Sequence, residues 1–232
     1  MQLLKAVKEK LQLEKIPMTI ECFDNSNIQG SDAVAVCVVY KKGKPSKQDY
    51  RKYIIKTVEG PDDYASMKEV VLRRYSRILK EETPLPDLII ADGGIGQMEI
   101  IRKVIFDELK LNIPIAGLAK NNKHKTNEVL IGFPPKSVGL KPTDQLFKFF
   151  AGMQDEVHRF AIKFHREKRS KNQTVSELDK IHGIGEKTKI ELINHFKSIK
   201  RLRLAKLVDI EKIVGKHRAS IIYEHFNGHL KP

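Results

Sequence analysis

Two aspartates and one histidine have the residue types and positions that a divalent-metal site needs. Asp24 ends the strand-like stretch "MTIECFD" and Asp92 ends the apolar stretch "LIIAD". Two carboxylates held a few ångströms apart either raise one pKa or bind a cation between them, and oxygen ligands favour magnesium or manganese. His158, in "DEVHRF", could complete the site as a metal ligand or accept a proton from an attacking water.

Each of these residues also has an ordinary structural explanation. Asp24 could cap the turn "NSN", Asp92 could cap the helix that follows it, and His158 could be a half-buried helical histidine. His158 adjoins an apolar seam, so we expect it at the flank of the buried face rather than in open solvent. Asp155 on the same helix is a further candidate ligand, while His165 is expected to face solvent or DNA.

The glycines of "ADGGIGQ" offer a second interpretation of the same stretch, as a phosphate-binding loop. The pattern matches neither GxxxxGK[ST] nor GxGxxG. A nucleotide-binding enzyme is therefore the weaker alternative. We expect these glycines to let the chain turn tightly beneath a substrate, with a helix N-terminus nearby that favours anions.

The predicted elements are three consecutive strands, then helix, strand, helix, strand and a late helix. The strands are "MTIECFD", "AVAVCVVYK", "QDYRKYIIKTV", "LPDLIIAD" and "IPIAGLAK", with "NEVLIGF" as a small extra strand. This order predicts an α/β fold of the ribonuclease H-like type, a five-stranded mixed sheet flanked by helices. A dinucleotide-binding sheet would instead begin strand, glycine turn, helix.

This strand order bears directly on the two aspartates. In such a sheet the first strand is central, and the fourth pairs beside it after a crossover. Asp24 and Asp92 stand at the ends of those two strands, so the fold predicts that they meet. The late helix, which we expect to run from Thr143 to about Lys168, would supply His158.

Charge points to a polyanionic partner. The net charge is +14, and residues 163–232 hold 17 Lys and Arg against 8 Asp and Glu, a net of +9. The alternative is a merely solvated basic face. No apolar stretch approaches the roughly 20 residues of a membrane span, and no secretory signal is apparent. We therefore expect a cytoplasmic protein without a membrane partner.

The basic C-terminal region contains a repeated glycine pattern. "HGIGEKT" places Gly183, Gly185 and Lys187 before a helix, and about thirty residues later the plan recurs with Gly215, although His217 stands where a second glycine would be. Exposed backbone amides at such a turn bind phosphate. The pattern predicts paired helix-hairpin-helix motifs that bind duplex DNA; the alternative is two helical hairpins used for protein contact.

These patterns divide the chain into four parts. We expect a leading helix at 1–17, a ribonuclease H-like domain at 18–168, a polar linker at 169–176 and a small all-α tandem helix-hairpin-helix domain at 177–232. The linker is predicted from its basic, aromatic-free composition.

From about residue 18 the chain resembles one bacterial family closely. The resemblance rests on five ordered motifs and the tandem hairpins: "FDNSNIQG", "EGPDDYASMKEVVLRRY", "LIIADGGIGQ", "GLAK" and "DEVHRFAIKFHR". The sequence is similar to the C-terminal half of the UvrC family, the nuclease of the excinuclease ABC system of nucleotide excision repair. Full-length members also carry a GIY-YIG nuclease domain, a cysteine-rich region and a segment that binds UvrB. We therefore expect a fragment or a split gene product.

The resemblance implies an endonuclease that cuts 5′ of a lesion in double-stranded damaged DNA, using Mg²⁺ or Mn²⁺ and working with the excinuclease ABC proteins UvrA and UvrB. The family's active-site positions fall on Asp24, Asp92 and His158, and a further acidic position falls on Asp63. Lys120 and Arg159 are candidate phosphate contacts. The alternative is a DNA-binding adaptor with an inactive nuclease-like fold.

Overall fold

A computed structural model describes residues 1–26, 33–58, 60–120 and 126–228. The chain divides into two compact units, Met1–Lys163 and Phe164–Pro232. Each unit has its own hydrophobic core. Among the described residues, no helix is both long enough and apolar enough to cross a bilayer.

The first unit is built on one mixed sheet of eight strands. Its order is β3-β2-β1-β5-β6-β7-β8, with β4 also paired to β2. The strands are β1 Thr19–Ser26, β2 Val34–Lys41, β3 Lys44–Pro45, β4 Arg51–Ile54, β5 Leu88–Ala91, β6 Ile115–Lys120, β7 Thr126–Ile131 and β8 Lys136–Ser137.

Pairing direction in the sheet confirms the predicted topology. The contacts of β5 with β1 and β6 are parallel, and those of β2 with β1 and β4 are antiparallel. The five predicted strands are therefore present in the ribonuclease H-like arrangement, as β1, β2, β4, β5 and β6. The sheet of the described residues has eight strands rather than five, because β3, β7 and β8 are added to it. The extra strand "NEVLIGF" is also present as β7, which pairs along β6 and so covers an edge that would otherwise expose unpaired backbone groups.

The described residues also form eight α-helices. They are α1 Gln2–Leu11, α2 Asp63–Lys80, α3 Ile95–Arg102, α4 Gln145–Leu178, α5 Glu186–Phe196, α6 Ile199–Arg203, α7 Leu207–Val214 and α8 Lys216–Asn227. A π-helical segment, Lys103–Glu108, continues α3.

Helix α2 shows how local sequence determines these elements. The Asp62 carboxylate caps its start by accepting a hydrogen bond from the Ala65 amide at 2.9 Å. Apolar residues at helical spacing then form one buried face: Met67, Val70, Val71, Tyr75 and Ile78. This face packs with alternate residues of the sheet, including Phe23 and Ile89, in the main core. Burial of that face, rather than propensity alone, stabilises the helix.

The late helix is longer than its sequence predicts. The composition predicts an end near Lys168 and a linker at 169–176, but α4 continues to Leu178 and residues 169–176 are helical. The reason is that this stretch contains no glycine or proline, and lysine, arginine, glutamine and glutamate are good helix formers. A polar composition indicates solvent exposure; it does not by itself end a helix.

The second unit is helical. Its core gathers buried side chains from the end of α4 and from α5 to α8, together with the turn residues Ile181 and Ile184. Helix α7 packs against α8 and α5. The core members are Leu178, Ile181, Ile184, Leu192, Phe196, Ile199, Leu202, Ile210, Val214, Ala219 and Ile222.

Candidate active site of the first unit and basic surface of the second

Strand register brings the two aspartates together. In the parallel pair, Ile20, Cys22 and Phe23 of β1 lie opposite Leu88, Ile90 and Ala91 of β5. The Asp92 amide continues this ladder by donating to the Phe23 carbonyl at 2.8 Å. Since side chains alternate across a strand, Asp24 and Asp92 share the face opposite Phe23 and Ala91. The topology expected from the sequence therefore does place them side by side.

Helix α4 supplies the third side chain. Ligand atoms of Asp24, Asp92 and His158 all lie within 4.8 Å of one another. Nδ1 of His158 is 3.6 Å from Oδ2 of Asp24. The two carboxylates are 7% and 0% exposed, whereas His158 is 57% exposed. The expectation that His158 avoids open solvent is wrong: although it adjoins the buried Val157, its side chain lies on the open side of the site.

The electrostatics reflect two acids confined together. Burial raises the pKa of Asp92 to about 6, and the Asp24 carboxylate adds to this, while Lys120 and Gln154 work against it. Nζ of Lys120 lies 3.0 Å from Oδ1 of Asp92. The Asp24 carboxylate raises the pKa of His158 above its ordinary value, against the effect of partial burial. The site therefore concentrates negative charge that a cation would stabilise.

The donor set fits a divalent ion. Oδ2 of Asp24 is buried and makes no hydrogen bond with the described residues. A buried carboxylate oxygen without a hydrogen bond is costly, and Nδ1 of His158 at 3.6 Å is too far to supply one, so a bound cation would stabilise it. Two carboxylates and one imidazole, with an open side at His158, are side chains that commonly hold divalent ions in proteins.

Gln154 is a site residue that the sequence reasoning missed. Its side-chain amide donates to Oδ1 of Asp92 and lies 3.4 Å from the Leu118 carbonyl. Gln154 is buried, four residues before His158 on α4. That spacing puts both side chains on one helix face. The four-residue spacing from His158 could have identified Gln154 in the sequence, but an amide is not ionisable and was not considered.

Other predicted residues lie around this group with different partners. Asp63 begins α2, and its backbone carbonyl accepts a hydrogen bond from Asn25 at 2.6 Å, but its carboxylate is not one of the three clustered ligands. Arg159 pairs with Glu156 at 2.7 Å, and Glu156 also accepts from the Tyr50 hydroxyl at 2.9 Å. Arg159 is therefore held by its own helix.

The glycines after Asp92 provide space. None of Gly93, Gly94 and Gly96 has positive φ, so the expected tight turn does not need glycine for its dihedral angles. A Cβ on Gly93 would lie 2.6 Å from Cγ of Gln97, and one on Gly96 would lie 2.5 Å from the Tyr64 hydroxyl. Absence of side chains lets α3 start close to the sheet and to α2.

The predicted hairpins of the second unit differ from each other. Gly183 has φ +89°, and Gly185 is the N-cap of α5, with Lys187 exposed in the first turn. The second turn is a single residue, Gly215, with φ +79°, which both ends α7 and begins α8. His217 lies in the first turn of α8 and is exposed.

One expectation for the start of the second unit is wrong. The sequence predicts that His165 faces solvent or DNA, but only 6% of it is exposed. The imidazole lies on the apolar stripe of α4, four residues after the buried Ala161. Helical spacing therefore places it on the buried face.

Together, the mixed sheet and the acidic pair at the ends of its central strands define a nuclease domain of the ribonuclease H-like class. Residues 8–162 match the UvrC RNase H endonuclease domain family. The chain belongs to that family.

Curated relatives agree with this assignment. UvrABC system protein C of Bacteroides thetaiotaomicron is 64% identical over 96% of this chain, which covers 36% of that protein. The protein of the same name from Streptococcus uberis is 51% identical over 94% of this chain and 37% of its own length. The chain thus spans a little over a third of the length of these relatives. Among solved structures, Ciona intestinalis endonuclease V bound to inosine-containing DNA matches with a TM-score of 0.35 and 14% identity, over 52% of this chain and 58% of that one.

Proposed function

We propose that this chain is the metal-dependent endonuclease part of a nucleotide excision repair system, cutting one strand of damaged duplex DNA on the 5′ side of the lesion. The observation that carries the proposal is the meeting of Asp24, Asp92 and His158 at the ends of β1 and β5. The relatives' name suggests UvrA and UvrB as partners, and we infer that the complex acts in the bacterial cytoplasm.

The three side chains have distinct roles in this proposal. Asp24 and Asp92 would hold Mg²⁺ or Mn²⁺ through carboxylate oxygens, and His158 would serve as a third ligand or accept a proton from the attacking water. When bound, such an ion polarises the scissile phosphate. His158 is suited to either role by its exposure, which lets substrate and water reach Nε2. As a base it works only when neutral, and Asp24 raises its pKa.

Basic side chains near the acids orient the substrate. Nζ of Lys120 lies 3.0 Å from Oδ1 of Asp92, and the lysine side chain is 32% exposed. Its other N–H groups can therefore donate to a phosphate oxygen. Arg159 is 58% exposed on the same stretch of α4 as His158. Asp63 is proposed to act from the start of α2, where its backbone carbonyl accepts a hydrogen bond from the side-chain amide of Asn25.

The second unit is proposed to hold the duplex without reading its sequence. Gly183, Gly185 and Gly215 leave backbone amides open at helix starts, and Lys187 adds charge beside the first turn. Contacts of this kind bind the phosphate backbone and weaken as salt rises.

Incision of a lesion-containing duplex already nicked 3′ of the lesion tests the proposal, with UvrA and UvrB added and with Mg²⁺ or Mn²⁺. Asp92→Asn is expected to lower the 5′ incision rate by at least about 1,000-fold, and duplex affinity is expected to stay within about twofold because the hairpins are unchanged. Chelation of the metal should have the same effect.

Normal cutting by Asp92→Asn in magnesium would refute this mechanism. Absence of any 5′ cut by the unmodified chain, with either metal, would instead favour the DNA-binding adaptor.

A further inference from the structure

A cavity in the second unit gathers three cations away from both hairpins. It has a volume of about 620 Å³ and lies between α4 and the junction of α5 with α6. Arg166 reaches it from α4, Lys197 from the junction and Arg201 from α6. Against these three positive charges the lining contains one acid, Glu167. We call the three cations and the space between them the phosphate cavity.

Neighbouring cations of the unit behave differently. Lys189 pairs with Asp179 at 2.6 Å, Arg203 with Glu177 at 2.8 Å and Lys212 with Asp209 at 3.3 Å. In contrast, the side chains of Arg166, Lys197 and Arg201 form no ion pair with any described residue. Like charges placed around one space repel each other. An anion in the cavity would attract all three cations and offset that repulsion.

The polar groups of the cavity favour phosphate among anions. Two guanidinium groups offer forked pairs of donors that match phosphate oxygens, and Lys197 adds a point charge. Oγ of Ser198 accepts from the Arg201 amide at 3.3 Å, which leaves its own proton to donate into the cavity. The Asn194 side-chain amide can donate there too.

The position of the cavity relative to the first hairpin favours a phosphate of a nucleic-acid backbone. Helix α5 begins at that hairpin with Glu186 and ends beside the cavity with Phe196. Its 11 residues span about 16 Å at the α-helical rise. A volume of about 620 Å³ exceeds what a single phosphate needs, and the cavity is open enough for all three cations to be solvent-exposed. Both features fit a continuous nucleic-acid backbone.

We propose that the phosphate cavity binds a backbone phosphate of DNA held by the first hairpin, as a contact additional to the hairpins. This inference rests on the proposed duplex binding by the second unit. It assigns Arg166, Lys197 and Arg201 to the DNA interface, where the glycine pattern alone gives no reason to place them.

The salt dependence of binding tests the assignment. Affinity of the full chain for a labelled duplex is measured by anisotropy at several salt concentrations, without divalent metal so that no cutting occurs. Each lost phosphate contact lowers the slope of log K against log salt by about 0.9. The double variant Arg166→Ala/Arg201→Ala is expected to lose about one such contact and several-fold affinity at low salt.

A matched variant controls for simple loss of charge. Lys200→Ala/Lys206→Ala removes two cations that do not line the cavity and should keep the parental slope. Equal slopes for the two double variants would overturn the proposal. Thermal melts of both confirm that the helical core is intact.

Two further arms separate the possible failures. Lys187→Ala, in the first hairpin, should also reduce the slope; if it does so while Arg166→Ala/Arg201→Ala does not, the cavity assignment is wrong and duplex binding stands. If the unmodified chain does not bind the duplex, the proposed function of the unit fails. Titration with inorganic phosphate is the other arm: saturable binding lost in Arg166→Ala/Arg201→Ala with no change in DNA slope would assign the cavity to free phosphate instead.

Discussion

The two units build their candidate sites in opposite ways. In the first unit, Asp24, Asp92 and His158 come from distant parts of the chain and meet because β1, β5 and α4 are packed together. In the second, each hairpin combines one short turn with the first residues of a helix, and its polar groups are exposed. A site assembled by tertiary packing depends on buried neighbours, whereas a local site depends on its own backbone angles.

After loss of a clustered carboxylate itself, removing a buried neighbour of the first site gives the largest expected effect. Gln154→Leu keeps much of the side chain's bulk but leaves Oδ1 of Asp92 without that amide donor. Residues that orient a metal ligand contribute about 10–100-fold to activity or metal affinity. We expect the rate of 5′ incision to fall by that factor and to recover partly at high Mn²⁺, with duplex affinity unchanged.

Asp155→Asn is the matched control for this change, because Asp155 is exposed on the same helix and lies outside the cluster. It should leave the incision rate unchanged. If Gln154→Leu also cuts at the parental rate, Gln154 only fills space, and the first site does not depend on this buried neighbour.

The same contrast explains how far the sequence alone could go. Asp24 and Asp92 were predictable because each closes an apolar stretch of sequence and the strand order brings those two stretches together, although β1 continues past Asp24 to Ser26. Gln154 was not, since an amide gives no charge signal and its role exists only once α4 lies over β5. The length of α4 was missed for a related reason: polar residues continue a helix as readily as they form a linker.

A buried carboxylate elsewhere in the first unit extends the comparison to stability. Burial alone would raise the pKa of Glu69, but the Thr57 and Lys56 amides, the Thr57 hydroxyl and Arg73 donate to it and lower its pKa to about 2. A carboxylate whose pKa is lower in the folded than in the unfolded state stabilises the fold at any pH above its unfolded-state pKa. This stabilisation is lost as pH falls toward the folded-state pKa. The contribution of Glu69 should therefore disappear as pH falls from about 4.3, the ordinary glutamate pKa, to about 2.

Denaturant unfolding of Glu69→Gln measures this contribution. At pH 7 the variant should be about 2 kcal/mol less stable than the parent, since several donors to a charged group lose strength, and the difference should shrink at pH 3. Glu81→Gln provides the control, because Glu81 lies just after α2 and is 47% exposed, with a single ion pair to Arg77. If the loss of unfolding free energy in Glu69→Gln does not depend on pH, position 69 requires the shape of the side chain and not its charge.

The smallest expected effect belongs to the hairpins, where two glycines of one turn can be compared. Gly183 has φ +89°, and a Cβ there would lie 3.2 Å from Cδ1 of Ile221, whereas Gly185 has φ −91° and no atom within 4 Å of its Cβ position. Gly183→Ala should therefore destabilise the second unit by about 1 kcal/mol. Gly185→Ala should cost less, about 0.5 kcal/mol, because its φ is ordinary and only the preference of an N-cap for glycine over alanine is lost.

Duplex affinity shows whether Gly185 is needed for DNA to come close to the backbone, rather than for the shape of the turn. Gly185→Ala adds a methyl group to open space at the start of α5, where a phosphate must come near the backbone amides. We expect it to weaken duplex binding by a few-fold, about 1 kcal/mol, although the second unit stays folded at the temperature of the assay. Parental affinity for Gly185→Ala, measured by anisotropy at low salt, would mean that DNA does not approach this backbone; the hairpin's glycines would then serve the turn alone, and the second unit would bind through its side chains.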